Sequence, residues 1–285
     1  MSDAIQAIAN AKIGFIGAGN MAASILGGLI QSGLSAKQIY VSNPSQGKLD
    51  ALLERYPELN TSNDNAYVAE HADYLLLSVK PQKMALACKP LQELDLDCCV
   101  ISVAAGVGCQ TIENLLGKGL PVIRSMPNTP SLVGAGATGL YANQHTSEQQ
   151  KKAATAIFDA VGLSVWVDDE SQMDLVTAVS GSGPAHYFLY MESVVAAAVK
   201  QGLPESTARQ LAAQTALGAA RMVQDNPDLE ISQLRRNVTS PGGTTAAALD
   251  VLINGHLPEL AAKAVNASVV RGKELAEIAS NPDYD

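Results

Sequence analysis

The stretch "NVTSPGGTTAAALDVL", residues 237–252, contains the residues of this chain that are best suited to bind a small anion. Two glycines and a proline precede an alanine-rich run that predicts a helix, with hydroxyl side chains on both sides. The first amides of a helix have no intrahelical partners, and the helix dipole makes that end positive. The pattern therefore predicts an anion site. The alternative is an ordinary helix with Thr239 or Ser240 as its N-cap.

A second glycine-rich stretch lies near the N-terminus. Residues 17–22 read "GAGNMA", a G-x-G-x-x-A pattern that follows a predicted strand and opens a predicted helix. This context is typical of a dinucleotide-binding turn, in which the glycines allow a tight turn and close approach of the pyrophosphate. The alternative is a glycine-rich turn without a ligand. The predicted cofactor contacts in the turn are Gly17, Ala18, Gly19, Asn20 and Met21.

The end of the second predicted strand bears on which nicotinamide cofactor is used. A carboxylate there usually holds the ribose of NAD, but the segment "YVSNPSQGK" has none before Asp50. Ser42, Asn43 and Ser45 offer hydrogen bonds, and Lys48 offers a positive charge. Because these groups would accept a 2′-phosphate, we expect NADPH, with NADH as the alternative.

The carboxyl ends of the later strands are expected to line the nicotinamide crevice, since ligands of such sheets bind beyond those ends. Small residues there let the ring lie against the backbone. The alternative for Pro81 is a simple helix starter. The predicted contacts outside the glycine-rich turn and the second strand are Asn65, Ser78, Val79, Lys80, Pro81, Val103, Ala104 and Ala105.

The order of predicted elements indicates an α/β fold in two parts. Seven short apolar runs alternate with helical patterns up to about Glu170, which predicts parallel βαβ units in a doubly wound, Rossmann-type sheet. Only helical patterns follow. We expect a dinucleotide-binding domain at 1–168 and an all-α dimerisation and substrate domain at 169–285.

The run Val194–Val199 is apolar on every side, which predicts a helix buried all round. Burial against a second copy in a homodimer is the simplest solution. The alternative is cover by the Rossmann half.

Composition narrows the classes of function. The 285 residues carry a net charge of −9, with 47% hydrophobic residues. A nucleic-acid partner would call for a basic patch, and a membrane span for about 20 apolar residues; we expect neither. The four cysteines lack metal-site spacing, so we expect reduced, buried thiols, no bound metal and a cytoplasmic location.

Six motifs together resemble one known family. "GAGNMA", "VKP", "ISVAAGV", "RSMPNTP", "SGSGPA" and "NVTSPGGTTAAAL" resemble pyrroline-5-carboxylate reductase in that order and over essentially the whole chain. The resemblance implies NAD(P)H-dependent reduction of 1-pyrroline-5-carboxylate to L-proline, the last step of proline biosynthesis. It also implies a Rossmann domain, a helical dimerisation domain and a substrate pocket completed at the dimer interface. Rings of dimers occur among relatives of this kind.

The resemblance suggests that the anion is the substrate carboxylate, held where Gly242, Gly243, Thr244 and Thr245 form the first turn of the late helix. It also makes Thr245 the candidate catalytic residue, which would hydrogen-bond the ring nitrogen and relay a proton. Lys80 is expected near the cofactor, and Glu170 at the pocket rim. The full predicted set of substrate contacts is Asn237, Val238, Thr239, Ser240, Gly242, Gly243, Thr244, Thr245 and Glu170.

The chain departs from the family pattern in two places. His186 stands where the family has tyrosine, and we expect it to have a structural role. An expected length difference near "QDNPDLEISQL" leaves open which of Asp225, Asp228 and Glu230 contacts the substrate.

The sequence argues against three other functions. A 3-hydroxyacid dehydrogenase would place a lysine and an asparagine along "SGSGPAHYFLYMESVV", which has neither. An imine reductase of neutral substrates would not need a carboxylate site. An NADPH-binding regulator with a dead substrate site would lack the C-terminal motif.

Overall fold

An eight-stranded sheet organises the first half of the chain. The computed structural model describes residues 3–117 and 119–280, so the outermost residues of the two predicted domains, 1–2 and 281–285, lie outside it. The strand order is β3-β2-β1-β4-β5-β6-β7-β8. The strands are β1 (Ile13–Ile16), β2 (Ile39–Ser42), β3 (Asn60–Ser62), β4 (Tyr74–Leu77), β5 (Cys99–Ser102), β6 (Val122–Met126), β7 (Gly136–Ala142) and β8 (Gly162–Trp166).

Helices cover both faces of the sheet. Alternate residues of the central strands enter two separate buried clusters: Phe15 of β1 belongs to one and its neighbour Ile16 to the other. Every residue of β1, β4 and β5 is buried, as expected for strands covered on both faces. The predicted doubly wound sheet followed by an all-α region is therefore confirmed.

The helices account for most of the remaining chain. Beyond Gln172 the described residues form helices and their connections, without strands. The helices are α1 (Asp3–Gln6), α2 (Asn20–Gln31), α3 (Gln46–Arg55), α4 (Asn65–His71), α5 (Met84–Cys88), α6 (Cys109–Leu116), α7 (Glu148–Asp159), α8 (Gln172–Val176), α9 (Gly183–Lys200), α10 (Glu205–Gln224), α11 (Ile231–Asn237), α12 (Thr244–Asn254) and α13 (Leu257–Ser280).

Two features of the sheet differ from the sequence prediction. The pattern missed β3, because "NTS" is polar and only three residues long. The expectation of parallel units throughout was wrong for β7, which runs antiparallel to β6. A short loop with a 3₁₀ turn at Thr129–Val133 joins this pair, and an antiparallel pair needs no helical crossover.

The chain divides into two compact units. The first is Met1–Ser182 together with Ala267–Asp285, and the second is Gly183–Asn266. The last helix, α13, therefore contributes to both units. The predicted division at 168/169 instead assigns the whole of this helix to the second domain.

Helix α9 exposes much of its apolar surface in the single chain. Tyr187, Phe188 and Leu189 are 70%, 61% and 64% exposed, and the next residue, Tyr190, is 50% exposed. Val194, in the run expected to be buried all round, is 42% exposed. Hence one copy of the chain does not bury this helix. None of the helices in the described residues is both long and apolar enough to span a membrane.

All four cysteines are free and buried. Burial raises the pKa of each thiol, Cys88, Cys98, Cys99 and Cys109, to about 12. The thiolate is the reactive form, and a pKa near 12 leaves roughly one thiol in 10,000 ionised at pH 8. We expect the native protein to react very slowly with a disulfide reagent at pH 8, and all four thiols to react in guanidinium. Rapid labelling of even one thiol in the native protein would contradict this.

Candidate active site

The dinucleotide turn between β1 and α2 needs glycine at its first position. Gly17 has a φ of +104°, where other residues are strained. A Cβ there would also lie 2.5 Å from the carbonyl oxygen of Ser78. Gly19 is the N-cap of α2 and receives no side-chain cap, and a Cβ on it would meet nothing within 4 Å. The turn thus has open space over unpaired helix amides, which fits a pyrophosphate.

The sheet places this turn at its topological switch point. The strand order reverses between β1 and β4, and the Ser78 amide donates to the Ile16 carbonyl at 2.8 Å. The Ser78 hydroxyl oxygen is buried and has no hydrogen-bond partner within the described residues. A buried hydroxyl without a partner needs an explanation, and a bound cofactor would supply one. This end of the sheet therefore fits a dinucleotide.

The side chains at the end of β2 are engaged inside the protein. Ser42 is fully buried, and its hydroxyl donates to Asn65 Oδ1 at 2.7 Å. Asn65 in turn donates to the Ala87 carbonyl at 3.0 Å. Asn43 Oδ1 accepts the Ala18 amide at 3.2 Å. The structure thus brings several predicted cofactor residues together, but through bonds among themselves.

Two residues further along offer outward polar groups. Ser45 is exposed and is the N-cap of α3, with no hydrogen bond from its side chain to that helix. Lys48 is exposed as well. Asp50, the first carboxylate after β2, is exposed and accepts a hydrogen bond from Gln46 at 2.9 Å.

The predicted nicotinamide contacts follow β4 and β5. Lys80 is exposed and precedes the 3₁₀ turn Pro81–Lys83, while Val79 is half-buried. After β5, the Val103 amide donates to Leu77 at 3.2 Å, and the Ala104 amide donates to the Ser102 hydroxyl at 3.2 Å. Ala105 is exposed. These bonds hold the loop that follows β5 beside the end of β4.

Glu170 lies against the start of α6. Its Oε1 accepts the Cys109 amide at 2.8 Å and pairs with the Arg124 guanidinium at 2.9 Å. The carboxylate therefore satisfies one of the orphan amides of that helix. This is a structural role that the sequence did not indicate, and the predicted contact of Glu170 with substrate stays a prediction.

Asn128 was missed by the sequence analysis as a positioning residue. It lies in "RSMPNTP", is 8% exposed, and donates to the Ser180 carbonyl at 3.0 Å. Its Oδ1 accepts the Ala137 amide at 2.9 Å. Because Ser180 lies in "SGSGPA", this side chain links two of the recognised motifs. The π-helical segment Thr177–Gly181 is of a kind often found at functional sites.

The late glycine pair forms a turn that delivers the chain into α12. The Gly243 amide donates to the Ser240 carbonyl at 3.0 Å, across Pro241 and Gly242. Gly242 has a φ of +70°, which fits the third position of a type II turn, where glycine is favoured. The expectation that Gly242 and Gly243 lie in the first helical turn was wrong, because the helix begins at Thr244 with Gly243 as its N-cap.

Among the residues that the structure describes, no side chain caps α12. Gly243 receives no side-chain cap, and the Thr239 hydroxyl instead donates to the Arg235 carbonyl of the preceding helix at 2.7 Å. The alternative of an ordinary capped helix with Thr239 as N-cap is therefore not what the structure has. The first amides of α12, at Thr244 and Thr245, lie at exposed residues and have no intrahelical partners.

The remaining predicted substrate residues lead into this turn. Asn237 ends α11, and its Oδ1 accepts from Gln233 at 2.7 Å. Val238 is 59% exposed and Ser240 is exposed. The geometry can present main-chain donors and short hydroxyls to a small anion.

The N-caps of the two candidate anion sites have almost the same backbone conformation. Gly19 has φ −81° and ψ 177°, and Gly243 has φ −82° and ψ 172°. Each follows within two residues of a glycine with positive φ. Within the described residues, no group of three or more His, Cys, Asp and Glu is placed to hold a metal ion.

Two family models match this chain, and their ranges include the two glycine-rich stretches. Residues 170–275 match the family model for pyrroline-5-carboxylate reductase dimerisation, and residues 12–106 match one described as NADP oxidoreductase, coenzyme F420-dependent. Pyrroline-5-carboxylate reductase of Vibrio alginolyticus is 45% identical over 94% of this chain and 98% of the relative. That of Pseudomonas aeruginosa is 45% identical over 93% of this chain and 97% of the relative.

Solved structures extend the comparison to the fold. A pyrroline-5-carboxylate reductase from Coxiella burnetii has a TM-score of 0.89 and 46% identity, covering 93% of this chain and 98% of that chain. Pyrroline carboxylate reductase from Plasmodium falciparum, solved with NADP bound, has a TM-score of 0.83 and 29% identity, covering 94% of this chain and 99% of that chain. On this identity and coverage, the chain belongs to the pyrroline-5-carboxylate reductase family.

Proposed function

We propose that the start of α12 holds the carboxylate of 1-pyrroline-5-carboxylate while the chain reduces the ring C=N bond with NADPH. The reaction class, reduction of this imine to L-proline by a nicotinamide cofactor, is that of the family. The observation that carries the carboxylate site is the uncapped Gly243 N-cap. A helix start without a side-chain cap has main-chain donors left for a ligand.

The site binds and orients rather than supplying a strong acid. A carboxylate can accept the free amides at Thr244 and Thr245, and the helix dipole adds roughly 0.3–1 kcal/mol. Thr245, the second residue of α12, is exposed and carries a hydroxyl. We assign it the hydrogen bond to the ring nitrogen, where it assists proton delivery. When bound, the cofactor supplies the hydride.

The dinucleotide turn supplies the cofactor site in this proposal. Gly17 allows the turn, Gly19 allows close approach, and the buried, unpartnered Ser78 hydroxyl lies at the switch point. The preference for NADPH over NADH rests on the outward Ser45 and Lys48. The NADP in the Plasmodium falciparum relative agrees with it.

The assembly is part of the proposal. A dimerisation region spans residues 170–275, and α9 exposes large apolar side chains in the single chain. We therefore propose a homodimer, with the functional boundary between the cofactor and dimerisation regions at 168/169. A ring of dimers and a cytoplasmic location stay predictions, and light scattering on the purified protein tests the assembly.

The experiment follows NADPH oxidation with pyrroline-5-carboxylate, with a ring imine lacking the carboxylate, and with a 3-hydroxyacid plus NADP⁺ in the oxidative direction. We expect turnover with pyrroline-5-carboxylate and at least about tenfold lower kcat/KM without the carboxylate, since hydrogen bonds to a charged group contribute about 1.5–3 kcal/mol. Equal turnover of the two imines would contradict the proposed carboxylate site. Hydroxyacid oxidation alone would point to the dehydrogenase class.

A further inference from the structure

Asn43 connects three segments directly after the carboxyl end of β2. Its Oδ1 accepts the Ala18 amide at 3.2 Å, and its Nδ2 donates to the Ser45 carbonyl at 3.1 Å. Its own amide donates to the Ser62 carbonyl at 3.2 Å, and its carbonyl accepts from Asn63 Nδ2 at 2.9 Å. With 7% of its surface exposed, the side chain is committed to the protein.

The bond to Ala18 affects the dinucleotide turn directly. An amide that donates to Asn43 is not available to a phosphate, so the anion is left to the amides of Gly19, Asn20 and Met21 at the start of α2. The bond fixes which peptide groups of the turn face outward. Asn43 therefore determines the shape of the pyrophosphate site without needing to contact it.

The bond from Asn43 Nδ2 to the Ser45 carbonyl acts on the loop that follows β2. The Ser45 carbonyl accepts both from Asn43 Nδ2 and from the Lys48 amide at 3.2 Å. It thereby fixes the loop that presents the two outward polar side chains. Ser42 cannot take their place, because it is fully buried and its hydroxyl is bonded to Asn65.

We propose that Asn43 is a positioning residue that couples the pyrophosphate turn to the loop carrying Ser45 and Lys48. The discrimination between NADPH and NADH then lies in Ser45 and Lys48, and not in Ser42 or Asn43, whose side chains the sequence alone assigned to the 2′-phosphate. This inference rests on the proposed use of a nicotinamide dinucleotide.

The test compares Asn43→Ala with Ser45→Ala by calorimetric titration of NADP⁺ and NAD⁺, without turnover. Asn43→Ala is expected to weaken NAD⁺ binding by about fivefold or more, the effect of losing roughly 1 kcal/mol of hydrogen bonding at the dinucleotide turn. It should weaken NADP⁺ binding at least as much, because the loop carrying Ser45 and Lys48 loses its bond to Asn43 as well. Ser45→Ala is expected to weaken NADP⁺ selectively by a similar factor.

Three results would overturn the inference: selective loss of NADP⁺ binding in Asn43→Ala, unchanged binding of both ligands in that variant, or equal weakening of both in Ser45→Ala. If Asn43→Ala does not fold, Asn43→Ser takes its place, since serine stays polar but is too short to bridge both partners. The KM for pyrroline-5-carboxylate should stay unchanged both in the Asn43 variant and in Ser45→Ala. Parent protein that binds NADP⁺ but lacks pyrroline-5-carboxylate turnover would refute the proposed function alone.

Discussion

Replacing Thr245 by alanine is expected to lower kcat with pyrroline-5-carboxylate by about 100-fold or more, within the range of acid–base effects of roughly 100- to 10,000-fold. The side chain follows the N-cap of α12 by two residues and is exposed. Its removal leaves the main-chain amides in place. The carboxylate therefore still binds, and the loss falls on kcat while KM changes little. Steady-state kinetics at saturating NADPH measures both constants.

Two further substitutions separate the hydroxyl from the shape of the threonine side chain. Thr245→Ser keeps the hydroxyl and should retain most of the parental kcat. Thr245→Val keeps the branched shape without the hydroxyl and should behave like alanine. Parental kcat in the alanine or valine variant would remove Thr245 from the mechanism.

Valine at either of the two glycine N-caps should weaken the binding of one ligand and leave the binding of the other unchanged. Gly243→Val is expected to raise the KM for pyrroline-5-carboxylate by at least about tenfold, because its side chain would occupy the approach to amides that bind a charged group at about 1.5–3 kcal/mol per hydrogen bond. The φ of −82° suits any residue, but a Cβ at Gly243 would lie 3.1 Å from the Ser240 carbonyl oxygen, so the turn must shift slightly to accept valine. The KM for NADPH should stay within about twofold of its parental value.

Gly19→Val is the matched counterpart, since its backbone conformation is nearly the same. It should raise the KM for NADPH and spare that for the imine. Thermal unfolding of both variants checks that the fold is retained. If Gly243→Val raises both KM values equally in a folded protein, the two anion sites are not separate and the carboxylate assignment fails.

The sequence was informative where a residue type is required by the backbone. Gly17 and Gly242 have positive φ. Because glycine is the residue that adopts this conformation without strain, both turns can be predicted from the sequence. Helical spacing is likewise a local signal: the sequence pattern predicts helices at Asn65–His71 and Cys109–Leu116, and these are the bounds of α4 and α6. Local physics and local pattern coincide in these segments.

Features that depend on partners distant in sequence were not predictable. Asn43 and Ala18 are 25 residues apart, and Glu170 and Cys109 are 61 apart. Nothing near either side chain indicates whether it contacts a ligand or the protein itself. The same holds for β3, which forms because β2 offers an unpaired edge to a polar segment, and for the antiparallel direction of β7.

The exposed side chains of α9 have a consequence for how subunits separate. Four successive residues, from Tyr187 to Tyr190, are at least half exposed. Each residue of a helix is turned by about 100° from the one before, so four in a row encircle the axis. A flat neighbour shields only one side of such a rod, and full burial requires enclosure from several directions. In the proposed homodimer, a partner that encloses α9 from several directions could not slide away on dilution, so we expect subunits to mix slowly between dimers.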